Sequence, residues 1–307
     1  MGKVKARRTN REELPGVVVL RDSLAPKVAA FERRPSVLDL DMDLDPNLEH
    51  LVDHDPDGFF TAIDGRETVG FCAAIVRLRQ CILSELWVLP QHQGKGAGEV
   101  LLTRALAYGE RSGARGYLAL VPPEPEIQGL LLRHSFQPLT PVYQLQLTTA
   151  AAATLARGLV SLLEGRNAAN DLLARRGQAD IDRIDRVTRD LTREVDHAYW
   201  LKKRALGVAL VRQGSRIAAF GYGGRDQVGP AAGSSREAAL CALGWALQLA
   251  IEQGAADPLL VRVPARFEGA IEALLDAGSR IQATMLLYGI NVSAAFDRCL
   301  LGAPNLP

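Results

Sequence analysis

Apolar residues in the first half of the chain fall into two rhythms. Short runs rich in Val, Ile, Leu and Phe at residues 16–20, 59–63, 69–77, 81–88, 117–121 and 142–147 predict strands. Asp64-Gly65 between the second and third runs predicts a hairpin, and Pro122-Pro123 closes the run at 117–121. Helical spacing appears at 99–112, where Leu101, Leu102, Ala105, Leu106 and Tyr108 share a face and Gly113 ends the pattern. Shorter helices are predicted at 24–34, ended by Pro35, at 47–53 and at 126–133.

Residues 149–195 change character. They are rich in Ala, Leu and Arg and predict helices joined through Gly165 and Gly177. Beyond them the order of the first half returns. A hairpin is expected at 207–212 and 216–221 through Gln213-Gly214-Ser215. A long helix follows at 236–252, capped by Ser234 or Ser235. A strand at 259–264, a helix at 267–277 ended by Gly278 and a strand at 281–288 complete the series. Leu259-Leu260-Val261-Arg262-Val263-Pro264 echoes Leu118-Ala119-Leu120-Val121-Pro122. The expected organisation is a basic tail at 1–15, a domain at 16–148, a helical linker opening a second domain at 149–195, and the rest of that domain at 196–307.

Composition changes this picture little. A chain of 307 residues suits about two domains, and 48% hydrophobic with 23% charged residues is ordinary for a globular protein. A net charge of +1 supplies no global field for nucleic acid or membrane. The basic start, Lys3, Lys5, Arg7, Arg8 and Arg11, lacks aromatics and is expected to be a solvated terminus. No apolar run follows it as in a signal peptide, and none approaches a membrane span, so a cytoplasmic location is expected. Cys72, Cys81, Cys241 and Cys299 show no metal-ligand spacing and are expected to be buried free thiols.

The chemistry concentrates in Val88-Leu89-Pro90-Gln91-His92-Gln93-Gly94-Lys95-Gly96-Ala97-Gly98, between a predicted strand and a predicted helix. Three alternate glycines clear side chains from a turn, and the helix behind them offers unpaired N–H groups and a positive dipole end. That is an anion site suited to a pyrophosphate, with Lys95 as an added charge. A P-loop would need Ser or Thr after the lysine, and a dinucleotide fingerprint would need a longer final glycine interval. An ordinary glycine-rich turn is the bland alternative.

Gln93-Gly94-Lys95-Gly96-Ala97-Gly98 resembles the Gln/Arg-x-x-Gly-x-Gly/Ala motif of the GNAT N-acetyltransferase superfamily. Leu83-Ser84-Glu85-Leu86-Trp87-Val88-Leu89-Pro90 and Val100-Leu101-Leu102 resemble the strand and helix that flank it there. The resemblance implies an α/β (α+β) GNAT fold, a mixed and mostly antiparallel sheet flanked by helices, here in two tandem copies. It implies acetyl-CoA as co-substrate, with pyrophosphate on Gln93, Gly94, Lys95, Gly96, Ala97 and Gly98 and pantetheine along Leu86, Trp87 and Val88. The pantetheine arm of that family lies between two splaying strands, here 81–88 and 117–121. The second half departs from the motif: Val228-Gly229-Pro230-Ala231-Ala232-Gly233-Ser234-Ser235 precedes its long helix, and Pro230 lacks a backbone donor. That half is expected to bind no CoA.

The implied reaction is transfer of an acetyl group to a primary amine by direct attack in a ternary complex. A backbone N–H near Val88 would stabilise the oxyanion. Glu85 is the first candidate for the base, although alternation sets it on the face opposite Val88 unless a bulge intervenes. An exposed carboxylate in a surface pair is its bland reading. Many members of the family carry a tyrosine acid four residues before a Gly-Phe. Leu131 and Ser135-Phe136 stand at those positions here, leaving His134, Ser135, Tyr143 or water.

Asp39, Asp41, Asp43, Asp45, Glu49, Asp53, Asp55 and Asp57 lie where such enzymes build the acceptor pocket, and would steer a cationic amine if they are not a solvated face. His50 and His54 lack the zinc-protease pattern, and no metal is expected. Asp196-His197-Ala198-Tyr199-Trp200 is a pocket candidate in the second half, with core packing the commoner reading. The acceptor is a small-molecule or peptide amine, with no nucleic-acid or membrane partner expected and a homodimer left open. A catalytically silent acyl-CoA sensor or scaffold is the rival reading.

Overall fold

The computed structural model describes residues 4–22, 46–163, 165–167, 175–303 and 306. The chain divides into two compact units. The first runs to Pro138 and takes in Tyr288–Val292, and the second comprises Leu139–Leu287 and Ser293–Ala303.

In the first unit the order is β1 (Lys5–Arg8), α1 (Leu14–Asp22), α2 (Pro46–His54), β2 (Phe59–Asp64), β3 (Glu67–Arg77), β4 (Gln80–Val88), α3 (Ala97–Arg111), β5 (Gly116–Val121) and α4 (Pro125–Arg133). Strands β1 to β4 are antiparallel neighbours in chain order. β5 then joins β4 in parallel, because α3 carries the chain back across the sheet. Leu101, Leu102, Ala105 and Tyr108 form the buried face of α3, as their spacing predicts. They meet a β3 that is buried along most of its length.

Two expectations fail here for physical reasons. Residues 16–20 are helical rather than extended. Leu14, Val17 and Leu20 are buried while Val19 is 63% exposed, so a three-residue period overrides the strand preference of a Val run. The basic start is not simply a tail, since Lys5–Arg8 pairs with Phe60–Ile63 as an edge strand whose charges face solvent. The helix expected at 24–34 lies outside the described residues.

The second unit contains most of β6 (Gln137–Leu147), then α5 (Thr149–Val160), β7 (Gly165–Asn167), α6 (Arg175–Arg189), α7 (Glu194–Lys202), β8 (Gly207–Gln213), β9 (Arg216–Gly224) and β10 (Gln227–Gly233). There follow α8 (Arg236–Glu252), β11 (Leu259–Pro264), α9 (Glu268–Asp276), β12 (Arg280–Ile290) and the short β13 (Cys299–Leu300). Among the described residues β7 to β10 and β13 form one sheet in the order β13-β10-β9-β8-β7, while β11 pairs antiparallel with β6. The long helix has the predicted limits, and its cap is Ser235, which accepts from the Ala238 N–H at 3.1 Å.

The segment before that helix, which lacks the Gln/Arg-x-x-Gly-x-Gly pattern, forms a strand rather than a loop. Val228 to Gly233 lies in the wholly buried strand β10, and only Ser234 and Ser235 separate β10 from α8. Gly229-Pro230 carries a turn signal. Burial beneath α8 decides the conformation instead.

Candidate active site in the first unit

The β4–β5 pairing stops early. Its register runs from Gln80↔Gly116 to Leu83↔Ala119, after which the two strands part. A bulge in the β3–β4 ladder sits at the same point: Ala73 faces Glu85 and Ala74 faces Leu83, leaving Ser84 as the extra residue. The bulge re-aims β4 where its neighbour departs. A cleft of about 590 Å³ opens between them, with Leu83 to Val88 on one wall and Leu120, Val121 and Pro122 on the other. The glycine loop and one face of α4 complete its lining.

Backbone direction on β4 follows from its pairing with β3. The Leu89 N–H donates to the Val69 carbonyl at 2.9 Å, and Val88 stands opposite Gly70. Antiparallel pairs alternate between bonded and non-bonded, so Leu86 and Val88 turn their N–H and C=O groups away from β3. Past Leu83 that is the cleft side. An extended ligand with amides of its own finds a half-made ladder there.

The loop supplies the other end. Gly94 (φ +72°) and Gly96 (φ +90°) are left-handed, a conformation that side-chain-bearing residues resist. Gly96 is the N-cap of α3 and contributes no side-chain cap, so the first-turn N–H groups remain for a ligand. Gln93, Gly94, Gly96 and Gly98 line the cleft, Ala97 is buried beneath it, and Lys95 is exposed. The Gln93 side-chain amide donates to the Val88 carbonyl at 3.1 Å, tying loop to strand. His92, almost buried, faces the Asp64 and Glu67 carboxylates at 3.5 Å and anchors the loop to the β2–β3 hairpin. Glu99, in the first turn of α3, also lines the cleft. His134 Nε2 meets its carboxylate at 2.7 Å, a pairing across 35 positions that no local pattern encodes.

Glu85 lines the cleft at 4% exposure, and the Trp87 indole N–H donates to its carboxylate. The surface-pair reading of Glu85 is therefore excluded. The bulge falls before Glu85 rather than between it and Val88, so Glu85 and Trp87 share one face and Leu86 and Val88 the other. Leu20 packs on Trp87 and Leu89.

The acid candidates scatter. Tyr143 lies on β6 opposite Val263 and packs on the core of the second unit, outside the cleft lining. Leu131 is fully buried. Ser135 is exposed with φ +66°, a left-handed conformation more usual for glycine.

The acidic stretch divides. Asp39, Asp41, Asp43 and Asp45 lie outside the described residues. Asp55 is buried and accepts from Arg77 at 2.6 Å, the Val76 N–H at 2.8 Å and the Tyr108 hydroxyl at 2.7 Å. Asp57 pairs with Arg8, and Asp53 and Glu49 pair with Arg11. These four acids are engaged in structural pairs. Burial, with Asp55 alongside, pushes the Tyr108 phenol well above its usual range. His54 Nδ1 lies 2.9 Å from the His50 carbonyl, and no metal-ligand cluster occurs among the described residues. No described helix is long and apolar enough to cross a membrane.

The pocket candidate of the second unit is core. His197 is buried between Asp185 (3.2 Å) and the Tyr222 hydroxyl (2.8 Å), with Trp200 against its ring. Asp185 also binds Arg189 at 2.8 Å and Arg193 at 3.1 Å. Burial raises the Asp185 pKa, but Arg193, the His197 hydrogen bond and Arg189 outweigh it and leave the carboxyl below its usual range.

Residues 26–136 match the model of the Acetyltransferase (GNAT) family. No curated protein matches the chain in sequence. A candidate acetyltransferase from Pyrococcus horikoshii is 14% identical and aligns over 97% of this chain and 94% of its own, with a TM-score of 0.70. A GCN5-related N-acetyltransferase from Sphaerobacter thermophilus is also 14% identical, covering 94% of this chain and 95% of its own at a TM-score of 0.58. Likeness at that identity speaks for the fold: a GNAT α/β architecture, mixed and mostly antiparallel, flanked by helices.

Proposed function

We propose that the first unit transfers an acetyl group from acetyl-CoA to a primary amine by direct attack in a ternary complex. We further propose that the second half is a GNAT-like repeat lacking a cofactor loop. The observation that carries the first reading is one continuous cleft joining the uncapped N-terminus of α3, the outward-facing amides of Leu86 and Val88, and the buried carboxylate of Glu85.

Each part has a task in this reading. First-turn N–H groups of α3, with Gly94 and Gly96, hold the pyrophosphate. Leu86 and Val88 pair with the pantetheine amides, and a Val88-side N–H polarises the thioester carbonyl, a large effect in acyl transfer. An ammonium of pKa near 10.4 must lose its proton at a cost of about 4–5 kcal/mol at pH 7. Glu85 accepts that proton, directly or through water, and the Trp87 N–H holds its carboxylate in place. Solvent protonates the departing thiolate, since Leu131 is apolar and His134 is committed to Glu99.

The second half repeats the element order of the first: β8-β9-β10-α8-β11-α9-β12 follows β2-β3-β4-α3-β5-α4-β6. That order, with α8 entered straight from β10, supports a degenerate tandem copy.

Leu131 at the family's tyrosine position favours a second reading, an acyl-CoA sensor without turnover. Thiol release from acetyl-CoA across a panel of polyamines, amino acids and peptides separates the two. Turnover of any amine, lost in Glu85→Gln, supports the transferase. Saturable acetyl-CoA binding with no turnover on the whole panel supports the sensor.

A further inference from the structure

In the first unit β4 and β5 pair and then open into the cleft. Their counterparts β10 and β11 flank α8 in the same order, yet among the described residues no ladder joins them directly. The chain's own C-terminal segment lies between. Ala231 and Ala232 of β10 pair with Leu300 and Cys299 of β13, and on the other side Leu301 bridges Arg262 of β11. The Leu301 N–H donates to the Arg262 carbonyl at 3.0 Å, and the Gly233 N–H donates to the Arg298 carbonyl at 3.1 Å.

Side chains hold the segment as well. Arg189 donates to the carbonyls of Ala231 (2.9 Å) and Leu300 (2.6 Å), gripping the strand and its neighbour with one guanidinium nitrogen. Arg262 donates to the Gly302 carbonyl at 3.0 Å. A Cβ at position 229 would meet the Leu301 oxygen at 2.8 Å, so only glycine allows this approach, at a φ of +97°. Cys299 and Leu300 have no exposed surface.

We infer that the second half's cleft is a peptide site filled by residues 298–302 of the same chain, in the position that acyl-CoA takes in the first. This rests on the cofactor reading of the first cleft. It goes beyond the missing glycine loop. The space for the pantetheine arm is itself closed, and by groups that satisfy the same backbone edges. The segment is a built-in occupant held by Arg189 and Arg262, and acetyl-CoA cannot displace it.

Hydrogen exchange on the full chain tests this, with and without saturating acetyl-CoA, in wild type and in Gly96→Asp. The amides of Gly233 and Leu301 should exchange at least about a thousand-fold more slowly than the exposed turn at Gly214. Acetyl-CoA should leave them unchanged in both proteins. Fast exchange at 298–302, or a change there when acetyl-CoA meets Gly96→Asp, overturns the inference. If wild type binds no acetyl-CoA, the reading of the first cleft fails, while protection of 298–302 still reports on the strand. A chain ending at Asp297 gives an independent check: it should melt lower or fail to fold, and melting like wild type overturns the strand's role.

Discussion

Gln93 donates its side-chain amide to the main-chain carbonyl of Val88 at 3.1 Å, joining the glycine loop to the strand end whose amides face the cleft. In the sequence Gln93 stood only for a position in a phosphate-binding motif. In the fold it sets the distance between the two ends of the ligand site. One partly exposed hydrogen bond contributes about 0.5–1.5 kcal/mol. Gln93→Ala should therefore weaken acetyl-CoA by at most roughly 2- to 10-fold by calorimetry, with a melting temperature no more than a few degrees lower.

Glu85→Gln keeps the size of the side chain and a hydrogen-bond acceptor for Trp87 while removing the base. Amine turnover should fall about 10²- to 10⁴-fold, with acetyl-CoA affinity within about a factor of two of wild type. Unchanged turnover on the best amine of the panel would remove Glu85 from the mechanism.

Arg77 and Asp55 form a buried pair that also engages the Val76 N–H and the Tyr108 hydroxyl. Arg77→Met leaves the carboxylate buried without its counter-ion, which should cost about 3–5 kcal/mol in denaturant unfolding. At temperatures where it stays folded, the variant should still bind acetyl-CoA. A loss of binding without a loss of stability would show that this pair belongs to the site.

Asp185 gives the second unit a pH dependence of known sign. Its folded pKa lies below the value near 3.9 of an unfolded aspartate, because Arg193, His197 and Arg189 outweigh burial. The stabilisation is fully present above about pH 4 and is lost as pH falls toward the folded pKa. Urea unfolding should show the second unit weakening steeply below about pH 4. In Asp185→Asn the unit should be less stable at pH 7 and should lose this part of its acid dependence.

All four cysteines are free and buried. Burial, with Asp55 nearby, pushes the Cys81 thiol up to about 12, and burial raises Cys72 further. Native protein should react with a thiol reagent at none of the four within minutes, and at all four in denaturant. A fast-reacting thiol in the native state would mark a local opening that this packing does not contain.

Local signals in the sequence were strong where one residue type answers one local demand. Gly94 and Gly96 mark left-handed backbone, Ser235 marks a helix start, and the spacing from Leu101 to Tyr108 marks a buried helix face. Tertiary context decided the rest. Val17 to Val19 prefer strands, but Leu14, Val17 and Leu20 had a surface to cover at helical spacing. Gly229-Pro230 carries a turn signal, yet α8 on one face and Leu300 at one edge make it part of a strand. The Arg189–Leu300 contact spans 111 positions, and no local pattern encodes it. Glu85 was visible as a carboxylate near the loop. Its burial and the Trp87 donor depend on where β4 bulges.

The proposed reaction needs a single acyl-CoA site on the glycine loop that ends in the N-cap Gly96. Titration of acetyl-CoA into wild type and Gly96→Asp tests it most directly, because the aspartate adds both a side chain and a negative charge at a left-handed N-cap. Wild type should bind one acetyl-CoA per chain and Gly96→Asp none measurable. No binding to wild type, equal binding to the variant, or two per chain would contradict it.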